Sequence, residues 1–387
     1  MAQTILFRDD MYDGQLARTL SNAYSGLADL GEAFAAAHAV KHAEPSAWYS
    51  AWHAMAEHTE GLAERIADPV GRASARLRAS EYHRQSYFFL RHDIADPRLQ
   101  NGFRAHVENF AAALPHLGVH AERLAIPYEG LTLKAYLFAP DDSGAARPTI
   151  LFPAGYDSSA EDGWAYARPA LERGYNVVSF EGPGQGASLY TDGLFFRPDF
   201  EAVLTPVVDA VIARPDVDPA AVVLVGRSFA GYLAPRGAAY EHRLAALVCD
   251  PAQPDMAQHL PQGLLGAVAV PAATVISALS GNQREFFGAR MAAHGIHSIS
   301  DYFDALREFT MLPEAGQITC PTLIVECEDD FAGGGGQLLA DALTAPHELV
   351  HLTAADGAAG HCAGLGQRVW DGVVYDWLHR AVVPADR

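Results

Sequence analysis

The sequence of 387 residues contains little cysteine and little positive charge. The few cysteines have no CxxC spacing, which argues against a disulfide framework and against a structural zinc site. Lys and Arg number 27 against 47 Asp and Glu, which gives a formal net charge of −20. This charge would repel nucleic acid and anionic membrane surfaces, so we expect neither as a partner. The cysteine usage fits a reducing, cytoplasmic environment.

Long apolar runs and targeting signals are also missing. No uninterrupted apolar run reaches about 18 residues, the length that a membrane-spanning helix needs. The first residues, MAQTILFRDDMYDG, carry acidic side chains where a signal peptide would have a basic end and an apolar stretch. We therefore expect a soluble protein that is not exported and that acts on a small molecule. The sequence is compatible with a homodimer and does not determine the oligomeric state.

The chain is rich in apolar residues, which make up 50% of it, and its pattern changes near residue 120. Before that point, apolar residues return every three or four positions, which is typical of helices. After it, short β-rich runs alternate with Gly-containing turns and helical stretches, as in a parallel sheet with crossover helices. The sequence predicts a helical N-terminal domain over 1–120 and an α/β domain over 121–387.

Within the second part, the run RLAIPYEGLTLKAYLFAP predicts a hairpin that turns at Glu129-Gly130. Roughly seventy residues separate the predicted strands that end at Cys249 and begin at Thr322, more than an ordinary connection needs. We expect a cap-like insertion there, at about 252–318, part of which covers the top of the sheet. The aromatic residues of the first domain are interpreted as core packing, with a lid over an aromatic substrate as the alternative.

The strongest local motif is VVLVGRSFAG, an apolar strand that leads through Gly-x-Ser into a helical pattern. This context predicts a nucleophile elbow, in which small residues two before and two after Ser228, here Gly226 and Ala230, let the backbone turn sharply. The backbone N–H of Phe229 can then face a developing oxyanion. A plain β-to-α turn with a capping serine is the alternative.

Two further residues follow Ser228 in the order of a Ser-Asp-His triad. The late apolar strand PTLIVECEDD ends in carboxylates, and Asp330 is the predicted triad acid, with Asp329 and Asp250 as alternatives. His361 follows the last predicted strand and is the predicted base. A serine hydroxyl needs an imidazole to take its proton, and the imidazole needs a carboxylate to hold its tautomer.

A second oxyanion donor is expected from the loop after an early strand, in the segment FPAGYDS, with the Tyr156 amide as the candidate. The GPGQG segment lacks dinucleotide-loop spacing and is interpreted as a tight turn. Gly333 to Gly336 are interpreted as a mobile loop, and the pair His294 and His297 as structural rather than metal-binding. We therefore expect no cofactor and no bound metal.

Several segments together resemble a branch of the α/β-hydrolases: GYDSSAE, FEGPGQG, RPDFE, GRSFAGY and GHC. This branch contains the 2,6-dihydroxypseudooxynicotine hydrolase and the fungal enzymes that shorten a heptaketide. The resemblance implies an α/β-hydrolase fold, with a mostly parallel eight-stranded sheet, helices on both faces and an N-terminal helical lid. It also implies hydrolysis of a carbon-carbon bond next to a ketone.

We therefore expect a serine hydrolase that cleaves an acyl compound. An aromatic or polyketide-like ketone is favoured over an ester as its substrate. The same residues would serve an esterase, a thioesterase, or an acyltransferase or cyclase of secondary metabolism. The non-catalytic alternative is a ligand-binding homologue whose catalytic site has lost its function.

Overall fold

The computed structural model describes residues 4–258, 260, 272 and 280–382. They divide into two compact units, one with residues 4–118 and 280–302 and the other with residues 119–258 and 303–382. The segment 252–318, for which a cap-like insertion is predicted, is thus shared between the units. Its residues 259, 261–271 and 273–279 lie outside the described part of the chain. The action of the helical unit as a lid stays a prediction.

The first unit is built of helices. They are α1 (Asp10–Asn22), α2 (Leu30–Ala39), α3 (Pro45–Arg65), α4 (Pro69–Tyr87), α5 (Pro97–Ala113) and α10 (Gly281–His294). Helices α4 and α5 each begin with proline after an aspartate, and the side chains of Asp68 and Asp96 accept hydrogen bonds from backbone N–H groups of the first turn. Proline suits this position because its missing N–H would have no helical partner. The Asp-Pro pairs therefore begin helices.

The core of this unit is aromatic. The side chains of Trp48, Trp52, Tyr12, Tyr82 and Phe89 are at most 1% exposed. The ring centroid of Trp48 lies 5.3 Å from those of Tyr12 and Phe89 and 5.4 Å from that of Trp52. Such rings bury large apolar areas and stabilise the helix packing. The structure agrees with their interpretation as core residues.

The second unit contains an eight-stranded sheet, as the sequence predicted. The strands are β1 (His120–Tyr128), β2 (Leu131–Ala139), β3 (Arg147–Pro153), β4 (Asn176–Phe180), β5 (Val217–Arg227), β6 (Ala246–Asp250), β7 (Thr322–Cys327) and β8 (His347–Leu352). Their order in the sheet is β1-β2-β4-β3-β5-β6-β7-β8. The pairs formed by β3 to β8 are parallel, and β1 and β2 are antiparallel to their neighbours.

The β1–β2 connection has the two-residue turn that the sequence predicted. Tyr128 pairs with Leu131, and Glu129 and Gly130 between them have φ angles of 43° and 80°. Positive φ at both central residues is the conformation that lets a short turn follow the twist of a hairpin.

Helices follow several of the parallel strands. They are α6 (Trp164–Leu171), α7 (Gly186–Tyr190), α8 (Glu201–Ile212), α9 (Ala230–Ala238), α11 (Ile299–Leu306, which begins in the first unit), α12 (Gly336–Ala342) and α13 (Gln367–Val382). Strands β4, β6 and β7 are buried along their whole length. In such a sheet the loops at the carboxyl ends of the strands converge at one edge. No helix in the described ranges has the length and apolar character needed to cross a membrane.

Candidate active site

Ser228 lies in the sharp turn between β5 and α9. Its φ angle is 58°, in the left-handed region, and its N–H donates to the carbonyl of Asp250 at 2.8 Å. The Gln253 side chain donates to the Ser228 carbonyl at 2.6 Å. A Cβ on Gly226 would lie 2.1 Å from the Ala230 carbonyl, so only glycine fits there. The local structure is therefore the strained strand-to-helix elbow that the motif predicted.

A hydrogen-bond chain joins Ser228 to two residues from distant loops. The Ser228 Oγ lies 2.8 Å from Nε2 of His361, and Nδ1 of His361 lies 2.7 Å from Oδ1 of Asp330. The second carboxylate oxygen of Asp330 accepts from the Cys362 N–H at 3.1 Å. Because a carboxylate can only accept, Nδ1 donates, which leaves Nε2 to accept the serine proton.

The two alternative carboxylates are placed elsewhere. Asp329 is exposed and has a φ angle of 59°, whereas the Asp330 side chain is fully buried. Asp250 is also buried, but its carboxylate accepts from the Arg227 guanidinium at 3.0 Å. Of the three candidate acids, the structure therefore brings Asp330 to His361.

The electrostatics of this chain favour charge separation between His361 and Asp330. Burial disfavours the imidazolium, but the contacts of His361 with Cys362 and Asp330 outweigh burial and raise its pKa well above the ordinary value. Burial likewise disfavours the Asp330 carboxylate, yet its hydrogen bond with His361 and the His361 charge lower its pKa. The arrangement is thus suited to accepting a proton on Nε2 while Asp330 stays ionised.

The loop after β3 runs beside the turn that carries Ser228. A Cβ on Gly155 would lie 3.4 Å from the Ser228 Cβ and 3.6 Å from the Phe229 nitrogen. The ring centroids of Tyr156 and Phe229 are 3.9 Å apart, and Gly155 donates its N–H to the Ser158 hydroxyl at 2.8 Å. The structure therefore places Tyr156 and Phe229, the two predicted oxyanion residues, next to each other.

Two buried carboxyl groups hold this loop in place through hydrogen bonds. Glu161 accepts from the Tyr136 hydroxyl at 2.9 Å and from the Ser159 hydroxyl at 2.6 Å. Glu181 accepts from the backbone of Ala160 at 3.3 Å, and burial together with the Glu161 charge raises its pKa well above the ordinary value. These bonds connect the loop to β2 and to the end of β4.

The GPGQG segment is a turn that also supports this loop. The Gln185 side chain accepts from the Gly182 N–H at 2.6 Å and donates to the Ala154 carbonyl at the end of β3. The structure agrees with the interpretation as a tight turn rather than a dinucleotide loop.

Sequence reasoning assigned no role to Arg227, which connects the turn at Ser228 to the loop that carries His361. Its buried guanidinium pairs with Asp250, donates to the Gln367 side chain at 2.9 Å and donates to the Cys362 carbonyl. It also lies over the rings of Tyr166 and Trp370, with centroid distances of 4.5 Å and 4.4 Å. A charged residue at the end of a buried apolar strand requires such partners, and this was the available signal.

Phe331 and the glycine run after it form one side of the site. Phe331 is 69% exposed, and its ring centroid lies 4.5 Å from that of His361. The Glu326 carboxylate accepts from the N–H groups of Gly334 and Gly336 at 2.8 Å and 2.6 Å. The sequence indicated a mobile loop here, whereas two of its N–H groups are bound to a buried carboxylate. In the sequence, the available signal for Phe331 was an aromatic residue directly after the predicted acid.

Of the histidine pair at residues 294 and 297, His294 packs inside the protein. His294 is buried at the end of α10, its ring packs 5.5 Å from that of Tyr302, and burial with the charge of Arg290 lowers its pKa to about 4. In the described ranges, one group combines three potential metal ligands: Asp330, His361 and Cys362, with ligand atoms within 4.8 Å of one another.

Comparisons with known proteins agree with this architecture. The model of the alpha/beta hydrolase family matches residues 149–373. Hydrolase LUC6 of a Fusarium species is 32% identical over 358 residues, with 84% of each chain covered. The 20-hydroxy-prefusarin hydrolase FUS2 of Gibberella moniliformis is 32% identical over 257 residues, which cover 63% of this chain and 61% of that protein.

The structure is also similar to that of the 2,6-dihydroxy-pseudo-oxynicotine hydrolase, with a TM-score of 0.76 and 21% identity over 94% of this chain and 95% of that one. At this identity the likeness concerns the fold, and it confirms the predicted one. The family match and the relatives' names also confirm the predicted enzyme class. The chain is a hydrolytic enzyme and belongs to the α/β-hydrolase family.

Proposed function

We propose that the chain is a serine hydrolase in which Ser228 is the nucleophile, His361 the general base and Asp330 the group that orients His361. The hydrogen-bond chain from Ser228 Oγ through both ring nitrogens of His361 to Asp330 carries this proposal. Each group has the partner that its role requires, and the nucleophile stands at the start of a helix on a strained turn.

In the first step, Ser228 Oγ attacks the substrate carbonyl while its proton passes to Nε2 of His361. Asp330 stabilises the imidazolium that forms. The negative charge on the former carbonyl oxygen is assigned to the backbone N–H groups of Phe229 and Tyr156, whose proximity supports this role. One such donor typically contributes about 10² to 10³ in rate.

The proposed substrate is an aromatic or polyketide-like ketone whose neighbouring carbon-carbon bond breaks. Collapse of the tetrahedral intermediate expels a carbanion that a phenol or a β-dicarbonyl stabilises, and His361 gives its proton to that carbon. Water then attacks the acyl-enzyme with His361 again as base and releases a carboxylic acid. In support, two similar proteins are named as hydrolases of hydroxylated compounds. The net charge of −20 also disfavours an anionic substrate.

Phe331 supports an aromatic substrate because it presents an exposed ring beside His361. We expect Phe331→Ala to raise KM for an aryl ketone or aryl ester about tenfold, with a smaller change in kcat, since a lost stacking contact costs about 0.5–1.5 kcal/mol beyond its area. Steady-state kinetics with aryl and short alkyl substrates measure this. Leu338→Ala, at another exposed apolar residue, is the control and leaves both constants unchanged. Equal effects of Phe331→Ala on both substrate types would contradict an aromatic contact.

A fluorophosphonate probe tests the serine mechanism without knowledge of the substrate. We expect stoichiometric labelling of the full chain at Ser228, identified by mass spectrometry of the labelled peptide. Absence of labelling in folded protein would favour the non-catalytic, ligand-binding alternative.

The bond that is cleaved requires a separate experiment. A panel of β-diketones, acylphenols, and phenyl esters and thioesters is incubated in water with and without an added amine or alcohol. We expect free carboxylic acid as the product, with turnover of the ketones. Cleavage of esters alone would indicate an esterase or thioesterase, and capture of the acyl group by the added nucleophile would indicate an acyltransferase.

A further inference from the structure

The thiol of Cys362 lies beside the same ring nitrogen of His361 that contacts the nucleophile. The Sγ to Nε2 distance is 3.7 Å. Side chains of consecutive residues normally point in different directions in helices and strands. Here Cys362 has a φ angle of 51° and Ala363 one of 65°, both in the left-handed region. The thiol thus meets the imidazole at a backbone of sparsely populated conformation, of the kind that clusters at functional sites.

The separation of the two atoms fits a shared metal ion. Zinc binds thiolate sulfur at about 2.3 Å and imidazole nitrogen at about 2.0–2.1 Å, so two such ligands at a tetrahedral angle are about 3.6 Å apart. The observed 3.7 Å between Sγ and Nε2 matches this separation, and the Cys362 thiol, which here donates to the Asp250 carbonyl at 3.4 Å, would give up that contact on binding. Thiolate with imidazole is also a ligand pair that selects soft or borderline ions such as Zn²⁺ and Cd²⁺ over Mg²⁺ or Ca²⁺.

The other side of His361 has the arrangement that metal-binding histidines use. A ligating imidazole nearly always donates its second N–H to a carboxylate or carbonyl, which fixes the tautomer and strengthens the metal bond. Nδ1 of His361 has this partner in Asp330 at 2.7 Å. The carboxylate that would orient His361 in catalysis would therefore orient it equally well toward a metal.

We propose that His361 Nε2 and Cys362 Sγ form an inhibitory binding site for a thiophilic divalent cation. Binding releases the thiol proton to solvent and replaces the hydrogen bond from the Ser228 hydroxyl to Nε2, with Oγ or water completing the coordination. The lone pair that would accept the serine proton is then held by the metal, and the enzyme is reversibly switched off. The loss of activity rests on the proposed role of His361, whereas the binding itself does not.

Titration of the full chain with CdCl₂ tests the site through the ultraviolet absorption of a cadmium–thiolate bond. We expect one equivalent to produce the band in the wild-type protein. In Cys362→Ser and Cys362→Ala we expect the band to disappear and the affinity to fall at least about tenfold. Cys320→Ala is the matched control, because Cys320 is also a buried free thiol but precedes β7, at the opposite end of that strand from Asp330. It should keep the band and the affinity.

Ser228→Ala separates the two proposals. This variant should bind Cd²⁺ with an affinity within a few-fold of the wild-type value, even though the fluorophosphonate probe cannot label it. In the wild-type protein, the labelling rate should fall as the absorption band grows, and a chelator should restore it. Equal cadmium binding by Cys362→Ser and the wild-type chain, or loss of the band in Cys320→Ala, would overturn the site. If fluorophosphonate labelled cadmium-saturated protein fully, the proposal that the cation inhibits the enzyme would be overturned.

Discussion

Ser228→Ala should lower turnover by about four orders of magnitude or more and leave the fold intact. The substitution removes one oxygen atom that lies 2.8 Å from His361, and with it the only group proposed to form the acyl-enzyme. In enzymes with this mechanism, loss of the serine removes nearly all of the contribution of the triad, because its members act as a unit. The measurement is kcat/KM on the best substrate of the panel, with circular dichroism to confirm the fold.

The matched control for this variant is Ser143→Ala, at an exposed serine between β2 and β3. It should keep full activity. The variant His361→Ala should lose about as much activity as Ser228→Ala, and the double variant little more than either. Residual activity of Ser228→Ala within tenfold of the wild type would contradict a serine nucleophile.

Arg227→Met should be the most destabilising single substitution near the site. The Arg227 and Asp250 side chains are 6% and 0% exposed, so removing the guanidinium leaves a buried carboxylate without its counter-ion. Breaking such a pair typically costs about 3–5 kcal/mol of unfolding free energy. The Cys362 carbonyl also loses a donor, so the loop that carries His361 should shift and activity should fall. Denaturant unfolding followed by circular dichroism measures the first effect.

A double variant distinguishes the loss of charge pairing from the loss of packing. Arg227→Met with Asp250→Asn removes both charges of the pair, so the two changes should be non-additive by about 0.5–3 kcal/mol in the stabilising direction. The exposed pair of Arg168 and Glu172 supplies the control, and Arg168→Met should change stability by less than about 0.5 kcal/mol. Strict additivity at Arg227 and Asp250 would mean that the pair acts through packing alone.

The sequence predicted the sheet and the candidate catalytic residues because both depend on local patterns. Strands such as Thr322–Cys327 are short, mostly apolar runs bounded by turn residues, and the order of Ser228, Asp330 and His361 follows the strand order. Chain topology then brings the three loops to one edge of the sheet. Local patterns do not distinguish which of two adjacent aspartates contacts His361. The side-chain direction of Asp329 and Asp330 depends on one positive φ angle, which no periodicity encodes.

The features that sequence reasoning missed depend on side-chain contacts that no local pattern encodes. The bonds of Arg227 to the histidine loop and of Glu326 to the glycine run join residues whose patterns look ordinary in isolation. The grouping of residues 280–302 with the N-terminal helices is of the same kind, since His92 and Glu285 meet at 2.7 Å across a long sequence separation. The proposed substrate, the homodimer and the cytoplasmic location stay predictions.

The placement of Ser228 and His361 has a consequence for the order of folding. They are 133 residues apart in the sequence, yet their side chains are in hydrogen-bond contact. Such non-local contacts form slowly because a long loop must close first. During synthesis, Ser228 leaves the ribosome well before β8 and the loop after it. The hydrogen bond between Ser228 and His361 can therefore form only when the last strand has docked, so the proposed reactivity would depend on this late step.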